Sequence, residues 1–275
     1  MKRGMVDKFS GSIVFDNIQV ASIRMFLASF VLLPFGVRYI ILYKPKFKVI
    51  YWLSIVAFCG NFFPAFLFTY AETGIDSSLA GMLNSCTPIF ILIMGVSFFK
   101  ASINKNNLLG ILVGSIGIIW LTGSVQLTGS LLKILAVILA TFCYAVSVLT
   151  IKYKLQNIKP LHITSMAFVL CFIPSSIMLN YSNAIGMFKT NPLAVNSFYY
   201  ILVLALIGTC FAVILFNVLI ANSSALFAGS VTYLIPIVAV IIGFFDGEKI
   251  LFYQVIAMFV IIGGIYLANY QTQKK

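Results

Sequence analysis

From Ile18 to Tyr270 the chain is a near-continuous succession of apolar stretches, each close to the length of a membrane crossing. They run approximately Ile18 to Tyr43, Val49 to Tyr70, Ser78 to Phe99, Leu108 to Leu121, Leu131 to Ile151, Leu161 to Tyr181, Phe198 to Ala221, Ala225 to Phe245 and Ile250 to Tyr270. The separators are short and carry helix breakers, among them Lys44-Pro45-Lys46, Thr73-Gly74-Ile75-Asp76, Asn191-Pro192, Asn222-Ser223-Ser224 and Asp246-Gly247. With 61% hydrophobic and 9% charged residues there is no material for a water-soluble surface, since a soluble domain carries roughly a quarter charged residues. The pattern predicts an all-α membrane protein of about nine spans, with no linker long enough to part soluble domains.

The formal net charge of +12 would point to nucleic acid in a soluble chain, but here the lysines sit between apolar stretches and form no single basic face. Membrane orientation accounts for them better, so the bilayer and not nucleic acid is the expected partner. Arg38, Lys44, Lys46 and Lys48 follow the first span, Lys100 and Lys105 the third, Lys152, Lys154 and Lys159 the fifth, and Lys274 and Lys275 the last. The intervening breaks hold Glu72 and Asp76, then Lys133, then Lys189, then Asp246, Glu248 and Lys249. By the positive-inside rule the lysine-rich set is cytoplasmic, which places a multi-pass chain in the cytoplasmic membrane with its C-terminus inside. No apolar core follows the basic start as a cleavable signal would require. The five cysteines, Cys59, Cys86, Cys143, Cys171 and Cys210, all fall in apolar stretches without CxxC spacing, so they read as buried thiols; neither a disulfide framework nor a metal site is supported.

Within this series one unit occurs twice. Ala80, Gly81, Pro88, Ile89, Ile93 and Gly95 recur in register as Ala228, Gly229, Pro236, Ile237, Ile241 and Gly243, with polar Asn84 falling on polar Thr232. The register extends back one span: Tyr51, Ala57, Gly60, Phe63, Leu67 and Phe68 meet Tyr199, Ala205, Gly208, Phe211, Leu215 and Phe216. Internal repetition decides the architecture before any residue does. The charge alternation makes the two copies run in opposite directions, the inverted-topology construction of secondary transporters, whose binding site lies at the repeat interface near the midplane. The division is a first repeat over residues 1–123, of which 1–17 precede the first span, a second inverted repeat over 129–271, and a basic tail over 272–275. The second repeat opens with Leu131 to Ile151, for which the first has no counterpart, so a further apolar helix is expected upstream of Met1.

The runs Gly60-Asn61-Phe62-Phe63-Pro64-Ala65-Phe66-Leu67-Phe68 and Ile75-Asp76-Ser77-Ser78-Leu79-Ala80-Gly81-Met82-Leu83-Asn84-Ser85-Cys86-Thr87-Pro88 resemble the EamA-type transporters of the drug/metabolite transporter superfamily. The resemblance extends from about Val20 to the C-terminus and implies two inverted repeats making about ten helices, both termini cytoplasmic. It also implies that the first four helices of each repeat surround a central cavity, while the fifth, here Leu108 to Leu121 and Ile250 to Tyr270, serve as scaffold or dimer contact. In two respects the chain departs from that pattern: the acidic residue after the fourth helix is present as Glu248 but is Lys100 in the first copy, and the first copy lacks the family's first helix.

Asn61 and its counterpart Thr209 are polar groups in apolar helices, read either as helix–helix hydrogen bonds or as cavity ligands. Asn84 with Pro88, and Thr232 with Pro236, share helix faces; a proline interior to a helix frees a carbonyl, and such interruptions in matching segments point to a binding region or a gating kink. Asn84 and Thr232 are therefore expected near the cavity with Tyr233 alongside, and Tyr144, Ser147 and Asn217 are further polar candidates. Arg24 lies about a turn inside its span and either attracts anions at the outer mouth or snorkels to the interface. Gly110, Gly114 and Gly117, with Gly263 and Gly264, offer close backbone approach, first for scaffold packing and second for a homodimer.

Every acidic residue sits at a span end or in the N-terminal segment, so no midplane carboxylate is at hand for proton coupling. No P-loop, HExxH or GxSxG appears, and no cofactor is implied; the chain reads as no enzyme. The expected function is alternating-access movement of a small, mostly uncharged or zwitterionic organic metabolite, or a drug-like compound, across the cytoplasmic membrane. The alternative is a truncated, non-transporting remnant or assembly partner that only packs in the bilayer.

Overall fold

The computed structural model describes residues 14–75, 77–101, 104–121, 131–238 and 252–269, and these are helical with no strand. Eleven labels cover them: α1 (Asn17–Tyr43), α2 (Phe47–Ala71), α3 (Ser77–Asn84), α4 (Thr87–Phe99), α5 (Lys105–Leu121), α6 (Leu131–Lys154), α7 (Pro160–Tyr181), the single turn α8 (Met187–Thr190), α9 (Ala194–Asn222), α10 (Ala225–Val238) and α11 (Phe252–Asn269). α1, α2, α6, α7 and α9 are long and apolar enough to cross a membrane, and four shorter apolar helices accompany them. The expectations placed on Asp76, Gly243, Asp246, Glu248, Lys249, Lys274, Lys275 and the N-terminal segment before Val14 lie outside the described residues.

Local chemistry sets the boundaries. Asp16 and Gln19 form a reciprocal capping box, Asp16 Oδ1 accepting from Gln19 N at 2.6 Å and Gln19 Oε1 from Asp16 N at 3.0 Å, which starts α1. Lys44 and Lys100 adopt left-handed backbone (φ 41° and 50°) and stop α1 and α4. Pro160 opens α7 in the first turn, where its missing N–H costs nothing.

Contacts at the helix ends give each helix its direction. At one end Tyr43 meets His162 (5.5 Å between rings), Phe99 meets Tyr153 (5.4 Å), and Lys152 Nζ donates to Ile220 O at 3.2 Å. At the other, Lys133 Nζ donates to Tyr70 O at 2.9 Å and Gln19 Nε2 to Ser182 O at 2.9 Å. Successive spans therefore alternate, and α2 and α9, the two copies of one sequence unit, run in opposite directions. Lys44, Lys46, Lys154 and Lys159 all gather at the first, lysine-rich end. Exposed Phe30, Ile41, Phe98, Ile119, Ile173 and Ile207 form an apolar exterior no soluble protein would carry. Tyr43 and Tyr51 are exposed at the lysine-rich end, and Tyr181, Tyr199 and Tyr200 at the opposite one, in the manner of interfacial aromatic belts.

α1 lies along α7 and α5 along α11. Gly36 lets the first pair close, since a Cβ there would stand 2.8 Å from Ser165 O. The second pair closes on the glycines: a Cβ on Gly110 would run into the Ala268 backbone, one on Gly264 would reach Gly114 N at 2.5 Å, and one on Gly117 would meet Ile261 Cγ1 at 2.8 Å. Asn107 Nδ2 reinforces the pair by donating to Ala268 O at 2.6 Å. Gly263 departs from the expectation, having nothing within 4 Å of a Cβ. It lies one residue from Gly264, which at about 100° per residue turns it off the seam.

The apolar stretch Ser78 to Phe99 is not one helix. α3 ends at Asn84 and α4 begins at Thr87, with a turn at Ser85 and Cys86, so Pro88 sits in the first turn of a new helix and not inside an old one. Asn84 and Pro88 consequently share no continuous helix face. The second copy tightens at the same place, into a 3₁₀ turn over Val231–Tyr233 just before Pro236. The two interrupted helices cross at their Ala-Gly steps: a Cβ on Gly81 would lie 3.4 Å from Ile235 Cγ2, and one on Gly229 would lie 3.6 Å from Pro88 Cα and press on Ile91.

Candidate functional site

α2 and α9 each contain a π turn, at Phe58–Phe62 and Leu206–Phe211, which are matching positions of the repeat. A π turn shifts the ladder by one residue and leaves a carbonyl short of its usual partner. In both copies a polar side chain takes it: Asn61 Nδ2 donates to Val56 O, five residues back, at 3.2 Å, and Thr209 Oγ1 donates to Leu204 O, also five back, at 3.0 Å. Asn61 is 8% exposed and Thr209 2%, so an unpaired carbonyl beside either would be costly. Gly60 is the opening through which α6 approaches, the Ser147 side chain occupying the place of its missing Cβ.

These two turns flank a cavity of about 360 Å³ bounded by α1, α2, the α3–α4 break, α6, α9 and α10. Its polar lining comprises Arg24, Asn61, Asn84, Thr87, Tyr144, Ser147, Thr209, Asn217 and Thr232; Met25, Val56, Val148, Ile151, Val213, Phe216, Ile220, Val231 and Ile235 supply apolar wall. Ile151 and Ile220 lie close to the lysine-rich ends of α6 and α9, so the cavity extends from the level of the π turns toward that end. On the other side the space is packed: Ala71, Ile75, Leu79, Ala80, Ala136 and Val137 form an apolar cluster between α2, α3 and α6, and Phe68 stacks on Tyr144 at 6.0 Å.

Arg24 is seven residues into α1, about 10 Å below its end. It does not lie at the surface mouth: its Nε donates to Thr209 Oγ1 at 2.8 Å on the cavity wall, and Glu72 and Tyr144 are its electrostatic neighbours. Glu72, at the end of α2, acts on Arg24 although its backbone caps a helix at the span boundary. Asn217 is held by donation of Nδ2 to Thr164 Oγ1 at 2.8 Å. At the α3–α4 break Thr87 Oγ1 donates to Asn84 O at 2.7 Å, and Thr232 Oγ1 to Gly229 O at 2.9 Å in the second copy.

The structure thus brings Arg24, Asn61, Asn84, Tyr144, Thr209, Asn217 and Thr232 together, and Pro88 and Pro236 beside the helix interruptions. Tyr233 is excluded. It is fully buried against α5, its hydroxyl 3.1 Å from Ser115 Oγ and 3.4 Å from Ile111 O, its ring filling the notch at Gly114. The 3₁₀ turn rotates it about 120° from Thr232, which alone of the two reaches the cavity. Sequence reasoning missed Thr87, which follows Asn84 by three residues, and the pairing of Arg24 with Thr209, which no local spacing announces.

The model of the EamA-like transporter family matches residues 5–123 and again residues 131–270. Among chains of known structure 29 match. One of them, a protein crystal structure, superposes with a TM-score of 0.70 at 14% identity, over 94% of this chain and 88% of the other, which is a likeness of fold. No curated protein gives a significant match.

Proposed function

From the premise that this chain belongs to the EamA-like transporter family, a family of multi-pass membrane proteins, we propose that it carries a small organic metabolite across the cytoplasmic membrane by alternating access. The observation that carries the reading is the pair of repeat-related π turns, whose side chains Asn61 and Thr209 both line one cavity. A site shared symmetrically by two oppositely directed units has two equivalent ways to close. A chain that only packed in lipid would have no use for a mainly apolar cavity of this size with several polar groups set into its wall, which falls in the range of small-molecule sites of roughly 300–1,000 Å³.

In this scheme the repeats rock about the crossing of α3–α4 with α10. The interruptions at Ser85–Cys86 and Val231–Tyr233 are the flexing points, because their backbone departs from the regular ladder there already. The lysine-rich end is cytoplasmic by the positive-inside rule, so the cavity as described lies toward the cytoplasm. The test is comparative metabolite profiling of cells and medium with and without the full-length gene, followed by flux of the responding compound in proteoliposomes. A compound that accumulates on one side only without the gene, and crosses in the reconstituted system, is the expected result; no change across broad metabolite coverage would overturn the reading.

A further inference from the structure

We infer that the cargo is a small amphipathic organic acid, its carboxylate held by Arg24 and its apolar body lying along Val148, Val213, Phe216 and Ile220. This deepens the transporter reading and rests on it. Among the described residues that line the cavity, Arg24 is the one formally charged side chain. A cation inside a membrane protein is costly and is kept where it has a partner to meet. A guanidinium has five donor hydrogens in a planar fork, and Thr209 engages it through Nε, which fixes the plane while leaving the fork's geometry suited to a carboxylate. Thr209 is itself locked, since its hydroxyl hydrogen goes to Leu204 O.

Charge count narrows the anion. A guanidinium that already has Glu72 as an electrostatic neighbour can take on at most a monoanion, and a phosphate dianion would enter with most of its charge uncompensated at a large desolvation cost. The remaining wall narrows the body. Between Arg24 and the lysine-rich end the lining from α6 and α9 is chiefly aliphatic or aromatic, so the part of the ligand farther from Arg24 must be apolar. Glu72 attracts Arg24 and is not among the lining side chains. An incoming carboxylate therefore competes with Glu72 for the guanidinium and has to take it over from the cavity side.

The test uses the purified full chain in detergent and three probes of one shape: hexanoate, hexanamide and hexylamine, titrated calorimetrically. Hexanoate is expected to bind at least about tenfold tighter than hexanamide, the scale of a charge-assisted hydrogen bond, with hexylamine weakest. Arg24→Gln should erase the acid-over-amide preference and Arg24→Lys should keep part of it; the comparison of acid with amide in the unaltered chain stands even if a variant does not fold. Equal or tighter binding of the amide, a preference that survives Arg24→Gln, or no binding by any of the three overturns the inference. Flux in proteoliposomes separates it from the transporter reading. Arg24-dependent acid binding without flux of any bound acid would count against transport alone, while flux of neutral compounds with no acid preference would count against the organic acid alone.

Discussion

Arg24 Nε donates to Thr209 Oγ1 at 2.8 Å, and the same hydroxyl donates to Leu204 O at 3.0 Å, so one threonine closes the π turn of α9 and orients the cation of α1. The two duties need only a hydroxyl at that Cβ. Thr209→Ser is expected to melt close to the unaltered chain, whereas Thr209→Val, which preserves shape and removes the oxygen, should lose about 1–3 kcal/mol by orphaning a buried donor and a buried carbonyl. Thermal unfolding in detergent checks both; a valine variant as stable as the serine one would mean that neither bond matters.

Asn61 does in α2 what Thr209 does in α9, with a different side chain reaching the carbonyl five residues back. Because the second copy shows that a threonine suffices in this geometry, Asn61→Thr should retain both stability and transport. Asn61→Leu leaves Val56 O without its partner and should cost about 1–2 kcal/mol along with transport. Equal behaviour of the threonine and leucine variants would break the argued equivalence of the two turns.

The α5–α11 seam separates two adjacent glycines sharply. A Cβ on Gly264 would stand 2.5 Å from the Gly114 backbone nitrogen, while one on Gly263 would touch nothing within 4 Å. Gly264→Ala must push two backbones apart and is expected to cost about 1–3 kcal/mol, as overpacking does. Gly263→Ala should be neutral or slightly stabilising through higher helix propensity. Comparative melting of the pair decides the matter, and cross-linking of α5 to α11 within one chain would confirm that the seam is internal.

The span boundaries were legible because a bilayer enforces length and apolarity, and Ile18 to Tyr43 or Leu131 to Ile151 fall within a few residues of α1 and α6. Repeat register was enough to nominate Asn61, Thr209, Asn84 and Thr232, since symmetric polar positions in apolar helices converge on the axis between the copies. What stayed hidden depends on phase and on distant partners. Tyr233 follows Thr232 by one residue, and only the local 3₁₀ winding decides that it turns toward Gly114. Arg24 looked like a residue within reach of the interface because its depth in α1 was readable but Thr209, on α9, was not. The π turns left no spacing signature beyond Gly60 and Gly208, because one extra residue in a turn does not disturb an all-apolar pattern.

Two lysines of α6, Lys133 near one end and Lys152 near the other, each reach the final carbonyls of one of the two repeat-related helices. Lys133 Nζ donates to Tyr70 O at 2.9 Å and lies 3.4 Å from the centre of the Tyr70 ring, at the end of α2; Lys152 Nζ donates to Ile220 O at 3.2 Å and to Ala221 O at 3.4 Å, at the end of α9. A cation at the C-terminal carbonyls of a helix is favoured by the helix dipole, typically by about 0.3–1 kcal/mol. Because the two clasps sit at opposite ends, breaking them should bias the protein in opposite senses. The readout is a single cysteine placed in the cavity by Ser147→Cys, in a chain freed of its native cysteines, labelled by a membrane-impermeant thiol reagent from either side. Lys152→Met is expected to raise labelling from the lysine-rich side and Lys133→Met from the other, by up to about fivefold for 1 kcal/mol. If both substitutions raise labelling from the same side, or neither changes it, the lysines are ordinary helix caps with no part in the opening of either end.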